Sequence, residues 1–445
     1  MFFKEFELPT QPKFNDLSVN ILDFGAVADN ETDSADGINK AIEYVSSQGG
    51  GRVIVPEGTY FSTGIKLKSN VDLHLEKGSR INFSDEPDDY LPAVFTRIEG
   101  IRCYGYSPLI YGTNLENVAI TGEGVFNGRG HKWWDFFRKT KVNTSKNSGA
   151  GCADLITMAK EGVPVEERNF AKKEGGLRPY FLQILYSKNI LIEGVKFINS
   201  PFWCVAPTFS ENIIIRNVSF KTTKKSHNTD SVDIDSCKNC LIEGINVESS
   251  SDDCVVIKSG RDRDGLEVNW PTENILVRNC KFHNCGTGCV IGSETSGGIR
   301  NVYMHDCECM NSNAAISIKT APGRGNVVEN IDIENVTNNK GIQGISCSMR
   351  YYVKDDDAMQ NMPKVRNISI KNVDAGLCWH GLRVRGFKES MIENVHLENI
   401  NVECIESTTV IDFVDGIHLK NVNVKLNKEE WFDWKTLGHD VVCEE

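Results

Sequence analysis

Short segments in which every second residue is apolar recur along the chain. "KNILIEGVKF" at 188, "ENIIIRNVSF" at 211, "KNCLIEGINV" at 238, "ENILVRNCKF" at 273 and "ENIDIENVTN" at 329 follow one template. Alternation with period two, rich in Ile and Val, predicts strands rather than helices. The leading asparagines are Asn189, Asn212, Asn239, Asn274, Asn301, Asn330, Asn367 and Asn394, with gaps of 23, 27, 35, 27, 29, 37 and 27 residues. A period in the twenties, stretched by insertions, marks a solenoid. The repeat predicts an all-β fold, a right-handed parallel β-helix of about ten coils stacked about 4.8 Å apart. The asparagines are predicted to form a hydrogen-bonded turn ladder along the stack.

Two stretches break the period. "SADGINKAIEYVSSQGGG" puts Ile38, Ala41, Ile42 and Val45 on one helical face, with Ser34 as cap and glycines as stop. This helix, within a region spanning 20–50, is predicted to cover the open end of the solenoid, whose unpaired edge would otherwise recruit other strands. Residues 127–180 fit no coil and read as an insertion beside the groove. Trp133 and Trp134 in it are candidates for a wall closing one end of that groove. The whole chain, 1–445, reads as a single β-helix domain.

Composition narrows the function. Net charge is −12 and pI near 5.4, which argues against nucleic-acid and anionic-membrane partners. No run is long and apolar enough for a membrane span, and the N-terminus lacks a signal-peptide core. Fifteen cysteines without such a signal read as reduced thiols, so a cytoplasmic location is expected. Their spacing lacks the paired CxxC of a zinc site, and no metal or cofactor is expected.

The candidate chemistry comes from aligning the strands after each turn: "SVDID" from 231, "CVVIK" from 254, "CVIGS" from 289 and "AISIK" from 315. Asp230 and Asp253 then occupy neighbouring coils, with Asp252 at the same turn. Lys258 and Lys319 fall in outward slots beside them. Crowded like charges drive carboxyl pKa values apart, which is what a general acid and a general base need. A Ca²⁺ site is the rival reading of three carboxylates, and the two lysines oppose it.

These segments resemble a known family. "NTDSVDID", "DDCVVIKSG", "GTGCVIGSETSGGIRNV" and "SIKTAPGRG" occur in the order of the four signature segments of the polygalacturonases, glycoside hydrolase family 28. The resemblance runs from about residue 22 into the 390s. The segment from Arg178, "RPYFLQILYSKN", looks most like the bacterial exo-acting branch. The resemblance implies inverting hydrolysis of galacturonic-acid-type linkages in pectin-derived oligosaccharides. It makes Asp252 the general acid and Asp230 with Asp253 the pair that activates water. Its substrate-binding lysine falls on Lys319, the expected main partner of a substrate carboxylate, and Lys258, His227, Asn228, Thr287, Ser317 and Arg324 around it are further candidate substrate contacts. Three positions depart from the family. Gly-His-Gly reads Gly286-Thr287-Gly288, the Arg of Arg-Ile-Lys is Ser317, and a histidine of exo-acting relatives is Ala206. Arg300, Arg324, Arg350, Arg383 and Arg385 are candidates to restore the lost positive charge. The alternatives are the same chemistry on a rhamnogalacturonan fragment or modified uronide, a non-catalytic carbohydrate-binding β-helix, and a lyase. The three aspartates weigh against the last two.

Overall fold

The computed structural model describes residues 1–139, 150–351 and 359–430. By internal contacts the chain divides into two units. One comprises Glu7–Thr229 and Lys238–Ile245, the other Met1–Phe6, Asp230–Cys237 and Asn246–Glu445. In both, short strands pair in parallel with the strand one coil away. Gly51–Val55, Val71–Leu75, Glu116–Gly122, Lys188–Glu193, Glu211–Arg216 and Lys238–Glu243 form one such ladder in the first unit. Its inward positions are apolar and buried, as in Ile190, Ile192, Ile213 and Ile215. This is the parallel β-helix that the alternating pattern predicts.

The asparagine turns are as expected. In the first unit Asn189 donates to Asn117 at 3.0 Å, Asn212 to Asn189 at 3.2 Å and Asn239 to Asn212 at 3.3 Å. In the second, Asn301 donates to Asn274, Asn367 to Asn330 and Asn394 to Asn367 at 2.7–2.9 Å. Every one has a left-handed backbone, with φ between 54° and 62°. Asparagine tolerates that conformation, and its amide both donates and accepts, so one residue type serves the bend and the ladder. At Asn301 the side-chain oxygen accepts from Lys4 N at 2.6 Å, where the N-terminal arm docks, and Phe2 and Phe3 N donate to Asp332. Asn212→Ala is predicted to cost about 2–3 kcal/mol, from the loss of asparagine's tolerance of a left-handed turn plus two ladder bonds. Asn212→Gly keeps the turn and should lose less. Chemical denaturation checks both, and an alanine variant as stable as wild type would remove the ladder from the stability argument.

Helix α1, Ala35–Ser47, buries Ile38, Ala41, Ile42 and Val45 as its period dictates. Its cap differs from the sequence reading. Ser34 turns its hydroxyl to Val27, and Asp33 Oδ1 accepts from Ala35 N at 3.0 Å instead. Asp33 wins because its longer carboxylate reaches the helix amide while also bonding Thr63.

The insertion carries helices α2, His131–Lys139, and α3, Ala150–Glu161. Leu155 and Ala159 of α3 join Ile98, Ile101, Phe170, Tyr180 and Trp203 in a separate small core. Trp133 and Trp134 are each 1% exposed. Trp133 packs edge-on against Tyr90 and Tyr106, and Trp134 Nε1 donates to Ser200 O at 2.9 Å. Neither can present a face to a sugar, so the expected tryptophan wall is corrected: both rings anchor α2. Two large rings at one end of a short helix are worth more buried than displayed. Among the described residues no helix is long and apolar enough to cross a membrane, and fourteen cysteines are buried.

Candidate active site

Six strands of the second unit build one face: β1, Val232–Asp235; β2, Val255–Lys258; β3, Thr287–Ile291; β4, Ala314–Lys319; β5, Lys340–Ser348; and β6, Lys364–Arg385. They pair in parallel and in order. Asp230 lies in the turn before β1, and Asp252 and Asp253 in the turn before β2. Ser231 N donates to Asp253 O at 3.1 Å and Val232 N to Cys254 O at 2.8 Å, locking the two turns together. One carboxylate oxygen from each of Asp230, Asp252 and Asp253 lies within 4.8 Å of the other two. The alignment of turns therefore brings the three aspartates together as the sequence implies. Asp230 and Asp253 are buried, and Asp252 keeps part of its surface open.

The turn after Asn284 explains its glycines. A Cβ at Gly286 would stand 2.7–2.9 Å from Asp252 C, Asp253 N and Asp253 Oδ1, and one at Gly288 2.3 Å from Cys309 Sγ. Gly286 lets the backbone press against the acid pair, so Gly286 N donates to Asp252 O and Thr287 N to Asp253 Oδ1 at 2.8 Å. Thr287 thus serves the site through its backbone.

Lys319 Nζ is 2.6 Å from Asp253 Oδ2 and 5.2 Å from the Tyr351 ring centre. Both oxygens of Asp253 are engaged, one by Lys319 and one by Thr287. Burial pushes its carboxyl up, but the Lys319 charge and hydrogen bond, the Thr287 amide and the Lys258 charge together outweigh that and hold it below the usual range. Asp252 behaves in the opposite way: burial, and then the negative charge of Asp253, raise it to about 7. Asp230 is raised well above the usual value by burial and by the charge of Asp252, with Lys258 pulling the other way. The three titrate as a set. A proton on Asp252 relieves the repulsion on Asp230 while Asp253 stays ionised. One open, protonated carboxyl beside an ionised, buried one can donate a proton on one side and polarise water on the other. The same oxygens could ligate a divalent cation, but Lys319 and Lys258 already supply two positive charges there.

Lys258 differs from its expected outward, solvent-facing slot. It is only 5% exposed and lies 3.1 Å from Asp233, 3.4 Å from Asp230 and 3.5 Å from Glu294. All four positions of β1 and of β2 are buried, so the outward slots there are covered as well. A covered ammonium must be paired, and three carboxylates surround it. This makes Lys258 a partner of Asp230 rather than a direct sugar contact. Glu294 is the member of this charged cluster that the sequence reading missed. Burial opposes its ionisation, but Lys258, Arg324 and Arg261 together bring its carboxyl down to about 2. An acid in the glycine-rich "GSETSGG", one coil beyond Lys258, was the available signal.

The remaining predicted contacts separate. Ser317 lies on β4 with its side chain half-buried. Arg324 is not open to a ligand as expected: it is buried, donates to Ser293 O at 2.9 Å and ion-pairs with Asp262. Ala206 is in the small core of the insertion. In the first unit, the buried Arg178 donates to His227 O at 2.6 Å, Asn228 Oδ1 at 2.9 Å and Pro201 O at 2.9 Å, and stacks over Phe202. It fixes the backbone of the turn carrying His227 and Asn228, and the Asn228 side-chain oxygen is occupied by it.

Known proteins share this arrangement of chain and fold. The sequence profile of the glycosyl hydrolases family 28 matches residues 165–426, and that of rhamnogalacturonase A/epimerase, pectate lyase-like, matches 18–75. A probable polygalacturonase of Vitis vinifera is 31% identical over 330 residues, 72% of this chain and 60% of its own length. The chain thus spans less than two thirds of that relative. A hyperthermoactive exopolygalacturonase from Thermotoga maritima superposes with a TM-score of 0.82 at 38% identity, covering 94% of both chains. A family 28 exopolygalacturonase of Yersinia enterocolitica gives 0.72 at 19% identity, covering 92% of this chain and 76% of its own, a likeness of fold. The right-handed parallel β-helix expected from the repeat is the fold of the chain.

Proposed function

Because the chain belongs to the glycosyl hydrolases of family 28, we propose that it hydrolyses galacturonic-acid linkages of pectin-derived oligosaccharides, from the chain end and with inversion. The observation that carries this reading is the divided ionisation of the three aspartates, with Asp252 near 7 and Asp253 below the ordinary range. Asp252, the partly open member, protonates the leaving glycosidic oxygen. Asp253 and Asp230 accept hydrogen bonds from a water and take its proton as it attacks the anomeric carbon. The C–O bond to the leaving sugar breaks, the bond to water oxygen forms, and the proton lost by Asp252 is replaced from water.

The oxygens lie closer together than the 6.5–9.5 Å expected of inverting carboxyl pairs. Asp252 and Asp253 are chain neighbours and Asp230 is one coil away, so the strand spacing sets the separation. Spacing alone would suit a covalent intermediate. Asp253, however, has both oxygens engaged by Lys319 and Thr287, and a nucleophile tied on both oxygens attacks poorly. That favours water. The 38%-identical exopolygalacturonase supports action from the chain end.

Digestion of polygalacturonate followed by proton NMR tests the whole reading. The first product should be a single short sugar with inverted anomeric configuration. A ladder of intermediate lengths in the first minutes excludes end-directed action, and a retained anomer excludes the water-activating pair.

A further inference from the structure

Two lysines serve the aspartates, and they do so unequally. Lys319 closes on Asp253 at 2.6 Å, a charge-assisted length, whereas Lys258 stays 3.4 Å from Asp230. Lys258 is shared: Asp233 is 3.1 Å and Glu294 3.5 Å from the same Nζ. The turn directly after β3 holds Glu294 in place. Gly292 N donates to Ile257 O at 2.8 Å, Ser259 N to Glu294 O at 2.7 Å and Ser296 N to Gly260 O at 2.9 Å, so the turn is bonded to the chain on both sides of Lys258. Ser293 Oγ donates to Glu294 Oε1 at 3.0 Å. Gly292 has φ +90°, and a Cβ there would stand 2.0 Å from Lys319 O, so the turn needs glycine at that point. From this geometry we infer that Glu294 is a positioning residue: it draws the Lys258 ammonium away from Asp230 and so leaves Asp230 free to take the proton of the attacking water.

The charges of the cluster agree with this division. Burial raises the Asp233 carboxyl well above the usual range despite Lys258 beside it. Glu294, faced by Lys258, Arg324, Arg261 and Lys319, stays the anion against which the ammonium balances. Asp230 is faced by Asp252 and Asp253 from the neighbouring turn and by Lys258 and Lys319. An ammonium brought closer to a carboxylate favours its ionised form and weakens it as a base. Asp253 is in that state under Lys319, and Asp230 is spared it while Glu294 shares Lys258. With Glu294 neutralised the pull away from Asp230 is gone, and Lys258 closes on Asp230.

This inference rests on the hydrolase reading above, and the test separates the two. Glu294→Gln, Glu294→Asp, Lys258→Met and the double variant Glu294→Gln/Lys258→Met would be assayed across pH on a galacturonate oligosaccharide, with circular dichroism to verify folding. Glu294→Gln should lower kcat about 10- to 100-fold, less than a full loss of acid–base catalysis, with little change in KM. The closer ammonium favours ionised Asp230, so the acid limb of the pH profile should move to lower pH by about 1–3 units. Lys258→Met removes the cation and should move that limb to higher pH. Glu294→Asp keeps the charge and should recover part of kcat. The double variant should match Lys258→Met, because Glu294 acts through the lysine. A loss confined to KM, an unmoved acid limb or additive losses overturn the assignment while leaving hydrolysis in place, and so does failure of both Glu294 variants to fold. If wild type does not hydrolyse the oligosaccharide, the hydrolase reading fails, and carboxyl ¹³C NMR titration decides whether Glu294 governs Asp230. The Asp230 signal, identified by its absence in Asp230→Asn, should titrate at lower pH in Glu294→Gln, and an unmoved signal overturns the inference.

Discussion

Asp252→Asn lowers kcat by at least about 10²–10⁴-fold, the range general acid catalysis contributes, and by more if the aspartates act as a unit. The amide has the shape of the carboxyl and its oxygen can still accept from Asp253 N, which now bonds Asp252 Oδ1 at 2.9 Å. It cannot supply a proton. Removing one of three crowded carboxyls also relieves repulsion, so the melting temperature should be no lower than wild type. The pH profile gives an independent sign. Asp252 must be protonated to act and titrates at about 7, so wild-type activity should fall as pH rises through about 7. The residual activity of the variant should lack that limb. Near-normal turnover, or a limb that survives the substitution, would remove Asp252 from the role of acid.

Lys319→Met lowers kcat by about 10- to 150-fold, because the 2.6 Å ion pair with Asp253 is charge-assisted and contributes about 1.5–3 kcal/mol. With the lysine gone, burial dominates at Asp253 and its carboxyl titrates higher. Asp253 acts as an anion, so the acid limb of the pH profile should move to higher pH. A buried carboxylate left unpaired is also costly, so some thermal stability should be lost. The loss of turnover should be the same for a uronide and its neutral ester, since Lys319 acts through Asp253. The motif resemblance alone leads to the opposite result, a loss confined to the charged substrate. Parallel assays on the two substrates discriminate, and a selective loss would return the substrate carboxylate to Lys319.

Lys319 shows how far motif reading reaches. The sequence identified it as a cation at the aspartates, and it is one. Which carboxylate it serves depended on a contact across 66 positions of chain. Lys258 is similar: its slot in the strand was legible, but its enclosure by Asp233, Asp230 and Glu294 was not. Whether an outward slot is open depends on what covers it, and here both faces of β1 and β2 are covered.

The sequence by itself determined the β-helix, the asparagine turns, the buried face of α1 and the meeting of Asp230 with Asp252 and Asp253. Each follows from a period: alternation every second residue, or a turn repeated once per coil, so position in the coil is fixed by counting. The tertiary structure alone decided the burial of Trp133 and Trp134, the pairing of Lys258 with Glu294, the hold of Arg178 on the 227–228 turn and the capping of α1 by Asp33. These contacts join insertions and turns that have no period. Their partners are set by which groups must be paired once water is excluded, and that is known only when the coils are stacked.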